Sequence, residues 1–135
     1  MRILGIDYGS ARIGVAMGDT ETNVAGPLDT LRHTGSEEAL QLVQELALNE
    51  AVDRIVVGVP RSMREPGRET DQAKVIRAFI DALRLEGLDV VEEDESLTTA
   101  LAARLAADAG KKGKRDDLAA TAILQSYLDR HALSS

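Results

Sequence analysis

Apolar positions along the chain change their period several times, and each change marks an element. Ile3, Leu4 and Ile6 form a short apolar run, Tyr8 to Ser10 supply turn chemistry, and Ile13 to Met17 resume as a second strand, so the segment predicts a hairpin. Asn23 to Leu31 predicts a third strand, whose Gly26-Pro27 pair weakens its middle and pushes it toward a sheet edge. Ser36, followed by Glu37 and Glu38, opens a helix with Leu40, Val43 and Ala47 on one face. Ile55 to Val59 is a β-branched run of the kind buried on both faces of a sheet, and Pro60 ends it. From about Glu69 to Leu85, Ala73, Ile76, Ile80 and Leu83 keep helical spacing, with Gly87 where a terminating glycine belongs. Leu88 to Val91 reads as the fifth strand. Thr98 or Thr99 caps a short alanine-rich helix to about Asp108, and a last helix runs from about Asp116 to His131.

Three strands in meander followed by two after helical crossovers predict an α/β fold with a mixed five-stranded sheet and helices on both faces. That order matches a ribonuclease H-like arrangement better than a flavodoxin-like all-parallel sheet. The 135 residues contain no repeat and no dividing linker, so residues 1–135 are expected to form a single domain. With no cysteine, a thiolate site or nucleophile is excluded, and His33 and His131 are too few for a multi-histidine zinc site. No stretch approaches membrane-spanning length and none resembles a secretory leader, which predicts a cytoplasmic protein with no membrane partner.

The formal charge of −7 argues against a nucleic-acid partner until its distribution is considered. Residues 61–68 hold Arg61, Arg64 and Arg68 against Glu65, and residues 111–115 hold Lys111, Lys112, Lys114 and Arg115 with no acid. Elsewhere nine cations face 22 anions, so positive charge is concentrated in two loop-like segments. Either segment alone also reads as a solvated charge cluster.

Three acids stand at element junctions. Asp7 emerges from the first strand beside Gly9 and Gly14, Glu95 follows the fifth strand in the acid-rich stretch Glu92 to Thr99, and Asp116 opens the last helix. If the first and fifth strands end on one sheet edge, Asp7 and Glu95 reach the crevice where open α/β sheets place ligands. Asp116 shares a helix face with Ala119, Ala120, Ile123 and Tyr127, so it tops the stripe that packs on the sheet. Each acid also has a plainer role: Asp7 in its own turn, Glu95 solvated, Asp116 and Asp117 at a helix N-terminus. Two carboxylates about 4 Å apart repel by roughly 4 kcal/mol near a protein surface, so convergence calls for a proton or a cation. All-oxygen ligation favours Mg²⁺ or Mn²⁺, ions that serve phosphodiester hydrolysis. The cationic run just before Asp116 is suited to a phosphate backbone.

In order, Gly5-Ile6-Asp7-Tyr8-Gly9, Val56-Val57-Gly58-Val59-Pro60, Asp94-Glu95-Ser96-Leu97-Thr98-Thr99 and Lys114-Arg115-Asp116 resemble the YqgF or RuvX group of bacterial nucleases, related to RuvC-like Holliday junction resolvases and to ribonuclease H. The resemblance covers essentially the whole chain. It implies a ribonuclease H-like fold, a nuclease dependent on Mg²⁺ or Mn²⁺, and catalytic and metal-binding roles for Asp7, Glu95 and Asp116. It also implies a nucleic-acid substrate, either the 5′ end of precursor 16S ribosomal RNA or a four-way DNA junction. Arg12, Arg61, Arg64, Lys111, Lys112, Lys114 and Arg115 are then the candidate phosphate contacts. Two positions depart from the family pattern: Ser96 stands where arginine is usual, and Arg61-Ser62-Met63-Arg64-Glu65 replaces a leucine-asparagine-methionine-aspartate-glycine run.

Two other functions stay open at this level. A nucleic-acid adaptor with the same fold and no catalysis is compatible with Ser96. Asp7-Tyr8-Gly9-Ser10 also resembles the phosphate-contacting hairpin of actin and sugar-kinase type ATPases, although those enclose ATP between two lobes. Junction cleavage would suit a homodimer, for which Leu124, Leu128 and Leu133 offer a seam or, equally, ordinary core packing.

Overall fold

The computed structural model describes residues 1–60, 69–95 and 115–133, the side chains of Arg115, Asp116, Ala132 and Leu133 excepted. Strands β1 (Arg2–Tyr8), β2 (Arg12–Asp19) and β3 (Val24–Arg32) form the expected meander, helix α1 (Ser36–Asn49) leads to β4 (Arg54–Pro60), and α2 (Asp71–Leu85) leads to β5 (Val90–Glu95). Helix α3 (Arg115–Leu133) closes the described chain. The sheet order is β3-β2-β1-β4-β5, with β1 antiparallel to β2 and parallel to β4, and β4 parallel to β5. The anticipated alanine-rich helix before Asp108 lies outside the described residues, as do Arg61, Arg64, Lys111, Lys112 and Lys114.

Strand alternation divides the buried residues between two cores. Leu4, Ile6, Tyr8, Ile13, Val15, Ile55, Val57 and Val59 face α1 and α2, which contribute Val43, Ile76, Phe79, Ile80 and Leu83. Ile3, Ala16 and Val56 face α3, which supplies Ala120, Ile123, Leu124, Tyr127 and Leu128. Leu124 and Leu128 are therefore committed to the core, which answers whether they could form a seam between copies. Thr70 caps α2 by accepting from the Ala73 backbone N–H at 3.0 Å, and Gly87 takes φ +89 after that helix, as its position suggests.

Ser36 is the first helical residue rather than a cap, and no side chain caps the start of α1. Instead Glu38 reaches back to accept from the Thr34 backbone N–H at 3.2 Å. Strand β1 also continues beyond the expected turn, pairing Asp7 with Gly14 and Tyr8 with Ile13. Tyr8 goes inward, packed on Phe79 with ring centroids 4.4 Å apart. The largest difference is β5. It begins at Val90 and runs through Glu92, Glu93, Asp94 and Glu95, each registered with β4, where the sequence suggests an acid-rich turn. The acids are tolerated in the sheet because cations answer two of them: Arg77 of α2 pairs with Glu92 at 3.0 Å, and Arg130 of α3 pairs with Glu93.

Helix α3 lies very close to the sheet because glycine occupies the strand positions beneath it. A Cβ on Gly5 would stand 2.7 Å from Leu124 Cβ and 3.1 Å from the Ala120 carbonyl oxygen, and one on Gly58 would stand 2.4 Å from Ile123 Cδ1. Gly5→Ala meets parts of the helix that cannot rotate away, so it is expected to cost about 2–3 kcal/mol. Gly58→Ala meets a side-chain tip and is expected to recover part of its loss when Ile123→Val removes Cδ1. Thermal melts of the two single variants and the double variant check both expectations, and additive losses at Gly58 and Ile123 would contradict the contact.

Candidate functional site

Parallel pairing decides where the acids meet. Ile6 is level with Val57 and Val57 with Glu92, so Asp7 stands level with Gly58 and Glu93, while Glu95 lies two residues further along β5 opposite Pro60. Both acids therefore occupy the edge formed by the C-terminal ends of β1 and β5. Two strand spacings across and two residues along separate their Cα atoms by about 12 Å. Alternation puts their side chains on the same face as α3: Gly5, two residues before Asp7, faces Leu124, and Glu93, two before Glu95, binds Arg130.

The direction of α3 brings a further element to that edge. Arg54 Nη1, at the start of β4, donates to the Tyr127 hydroxyl at 2.9 Å, while Ile123 lies over Gly58 near the end of the same strand. Moving toward the helix N-terminus thus moves toward the strand C-termini. Asp116 is seven residues before Ile123, about 10 Å along the axis, so its backbone lies over the edge carrying Asp7 and Glu95. Its side chain and that of Arg115 lie outside the described residues.

Asp7 is only 7% exposed, an unusual setting for a carboxylate. Glu95 is half-buried. Asp117, which the sequence offers only as a helix-terminus acid, has an Oδ1 that is buried without a hydrogen-bond partner, while its carbonyl accepts from the Thr121 hydroxyl at 2.7 Å. Among the described residues, no group of three or more acidic or histidine side chains forms a complete metal cluster.

The turn after Asp7 is fixed by main-chain contacts. Gly9 N–H donates to the Arg12 carbonyl at 2.9 Å, and a Cβ on Gly9 would stand 2.6 Å from that oxygen, so only glycine fits. His33, buried and stacked on Tyr8, places Nε2 2.8 Å from the Gly9 carbonyl oxygen and Nδ1 3.2 Å from that of Gly35. Its backbone N–H donates to the Ala11 carbonyl at 3.1 Å. Burial raises the Tyr8 phenol above its ordinary range, keeping it neutral in this packing.

Glu93 was not singled out by the sequence, where it reads as one of several solvated acids. It is 2% exposed and bound by Arg130. Burial raises its carboxyl above the ordinary value, and the Arg130 charge and a Ser126 hydrogen bond offset that only in part. Both partners belong to α3, so Glu93 ties the strand carrying Glu95 to the helix that begins with Arg115 and Asp116.

Comparisons with known proteins agree with this architecture. A family model described as "RuvX: Holliday junction resolvase" matches residues 1–130. A Moorella thermoacetica protein named "Putative pre-16S rRNA nuclease" is 43% identical over 136 residues, covering 96% of each chain. A Desulforudis audaxviator protein of the same name is 38% identical over 135 residues, covering 96% of this chain and 94% of its own. Among solved structures, Thermus thermophilus RuvC bound to a Holliday junction substrate superposes with a TM-score of 0.60 at 15% identity, covering 98% of this chain and 96% of that one. The fowlpox virus resolvase with its junction DNA gives 0.58 at 13% identity, covering 97% and 99%. At such identities the likeness speaks to the fold, which is ribonuclease H-like.

Because the folded chain holds the Glu93 proton more tightly than the unfolded one, stability from this group is fully present below its unfolded value and is lost as pH rises through the raised folded value. Glu93→Gln removes that dependence. Its melting temperature relative to the parent is expected to rise as pH climbs above the ordinary glutamate range, whereas Arg130→Gln at neutral pH is expected to cost about 1–2 kcal/mol. Parallel melting curves for parent and Glu93→Gln over that climb would contradict the assignment.

Proposed function

Since the chain belongs to the RuvX family, we propose that it is a divalent-metal-dependent endonuclease that hydrolyses phosphodiester bonds in structured nucleic acid, with the 5′ end of precursor 16S ribosomal RNA as its substrate. The observation that carries this reading is the shared edge: the parallel strands β1 and β5 end together on the face of α3, with Asp7 and Glu95 on that face and the α3 N-terminus over it. The ribosomal substrate is favoured over the four-way junction named in the family description because individual relatives at 38% and 43% identity over nearly the whole chain carry the ribosomal name.

The donor set fits a hard cation. Carboxylate oxygens line the edge, no cysteine is available, both ring nitrogens of His33 lie against backbone carbonyls, and the orphaned Asp117 Oδ1 adds an unsatisfied oxygen nearby. Asp7, Glu95 and Asp116 would hold Mg²⁺ or Mn²⁺. When bound, such an ion orients a water nucleophile and stabilises charge on the leaving oxygen. Asp7, fixed in a central strand and almost buried, would hold the ion at a constant place relative to the sheet. Glu95 approaches from two strands away. Asp116, at the start of α3, completes the acid set, and Lys111, Lys112, Lys114 and Arg115 just before it supply cations for the phosphate backbone, as do Arg61 and Arg64. The work on ribosomal RNA would take place in the cytoplasm; among the described residues no helix is long and apolar enough to cross a membrane.

Cleavage of a 5′-extended 16S ribosomal RNA fragment tests the proposal, with a synthetic four-way DNA junction beside it. Chelation should abolish cleavage and added Mg²⁺ or Mn²⁺ should restore it, while Asp7→Asn should lower kcat roughly a thousandfold or more. Without metal, Asp7→Asn should melt at or above the parent temperature, because it removes a nearly buried charge from an edge that also carries Glu95. Undiminished cleavage by Asp7→Asn would reject the mechanism, and a marked loss of stability would make Asp7 structural.

A further inference from the structure

Arg12 and Arg32 sit directly opposite one another on β2 and β3, at the last pair of that ladder. Like charges in directly opposed positions destabilise a sheet, so folding alone does not explain the pair. Both lie on the face that carries Asp7: Asp7 pairs with Gly14, and Gly14 is two residues from Arg12 along β2. Gly14 presents no side chain between them. From Asp7, the Cα of Arg12 is about 8 Å away and that of Arg32 about 12 Å away, on the opposite side from Glu95. Arg32 is exposed and makes neither an ion pair nor a side-chain hydrogen bond with the described residues. In this Arg32 differs from Arg2, Arg54, Arg77, Arg84 and Arg130, each of which stands against a carboxylate.

The support beneath the pair is rigid. Arg12 closes the Gly9 turn through its own carbonyl, and His33, the residue after Arg32, holds that turn through the Gly9 and Ala11 carbonyls. Two arginine backbone positions are thus held side by side at the strand end next to the acids, with exposed Ser10 in the same turn. Guanidinium groups match phosphate oxygens in geometry as well as charge.

We propose that Arg12 and Arg32 form a phosphate-binding pair that grips the nucleic-acid backbone beside the cleavage site, on the β2–β3 flank of Asp7. The distances correspond to about two or three nucleotides of one strand at an axial rise of roughly 3.4 Å. The backbone would then cross the top of the sheet from the arginine pair to the carboxylates. This inference rests on the nuclease reading for its substrate and adds Arg32 and a direction of binding.

The test is metal-free binding, read by fluorescence anisotropy across a salt series with the 5′-extended ribosomal RNA fragment and the four-way junction as probes. Arg32→Gln and Arg12→Gln should each weaken binding about three- to tenfold and reduce the slope of log Kd against log salt by about 0.7–0.9. Arg32→Lys should keep most of that slope, and the melting temperature of Arg32→Gln should equal or exceed the parent value. Arg2→Gln, at the opposite edge of β1, should bind as the parent does. Parental affinity and slope in Arg32→Gln, an equal loss in Arg2→Gln, or a clear drop in the Arg32→Gln melting temperature would each overturn the pair. Cleavage assays separate this from the catalytic reading: a parent that binds through the arginines without cutting either probe refutes the nuclease and leaves the pair standing. A parent that cuts while Arg32→Gln binds normally refutes the pair alone.

Discussion

The near contact between helix α3 and the sheet is the constraint on which the arrangement depends. Where most helices rest on strands through interlocked side chains, this one reaches β1 at Gly5, β2 at Gly18 and β4 at Gly58, with no strand side chain between. Leu124 spans two of those contacts and Ile123 makes the third. The helix is thereby fixed across three strands, and its direction is tied by Tyr127 to Arg54 at the far edge. A carboxylate chemistry that draws on a strand and on a helix terminus needs their separation held to a fraction of an ångström, and backbone-close packing supplies that more rigidly than flexible side chains would. Glu93 adds a polar tie to the same helix, so β5 is held by charge where β1 is held by shape.

Much of this was legible because it follows from local rules. The short apolar runs give the strands, the Gly26-Pro27 interruption places β3 at an edge, and the β-branched run Ile55 to Val59 indicates a strand covered on both faces. The order of elements implies the right topology, and the hairpin after Ile6 draws attention to Asp7. What escaped the sequence depends on partners far along the chain. Glu93 resembles its acidic neighbours until Arg130, 37 residues later, comes down on it from α3. The same contact explains why a run of four acids continues a strand rather than forming a turn. His33 looks like an isolated surface histidine, and only the meander brings Gly9, 24 residues earlier, to its ring. Gly5 and Gly58 carry no sign that a helix lies above them, because a glycine in an apolar run reads as a weak strand position until the tertiary contact is present.

Electrostatics orders the same surface. At the N-terminal ends of the strands, the guanidinium groups of Arg2 and Arg54 are matched by Glu50 at 3.2 Å and Asp89 at 2.9 Å. The C-terminal edge shows a different pattern along β3-β2-β1-β4-β5: arginines on the first two strands, aspartate on the third, glutamate on the fifth. A chain with a formal charge of −7 repels a polyanion at a distance. Local cations therefore have two separate tasks. In the proposed reading a bound ion would offset the acids themselves, while the arginines of β2 and β3 would attract the backbone.

The two tasks conflict if one group attempts both. An arginine close enough to pair with Asp7 would lower the negative charge available to a cation, and a backbone held only through that cation would be free to pivot about it. Arg32 keeps part of the phosphate capture apart from the acids, because the antiparallel meander shares β1 with them while carrying that arginine on β3, two strands away. The His33 ties keep that lateral offset constant by anchoring the turn that joins β1 to β2. On this view the meander is the half of the fold that orients the substrate strand, and the parallel half with its covering helix supplies the chemistry. Asp7 belongs to the one strand that is antiparallel to β2 and parallel to β4, which makes it the point where the two halves meet.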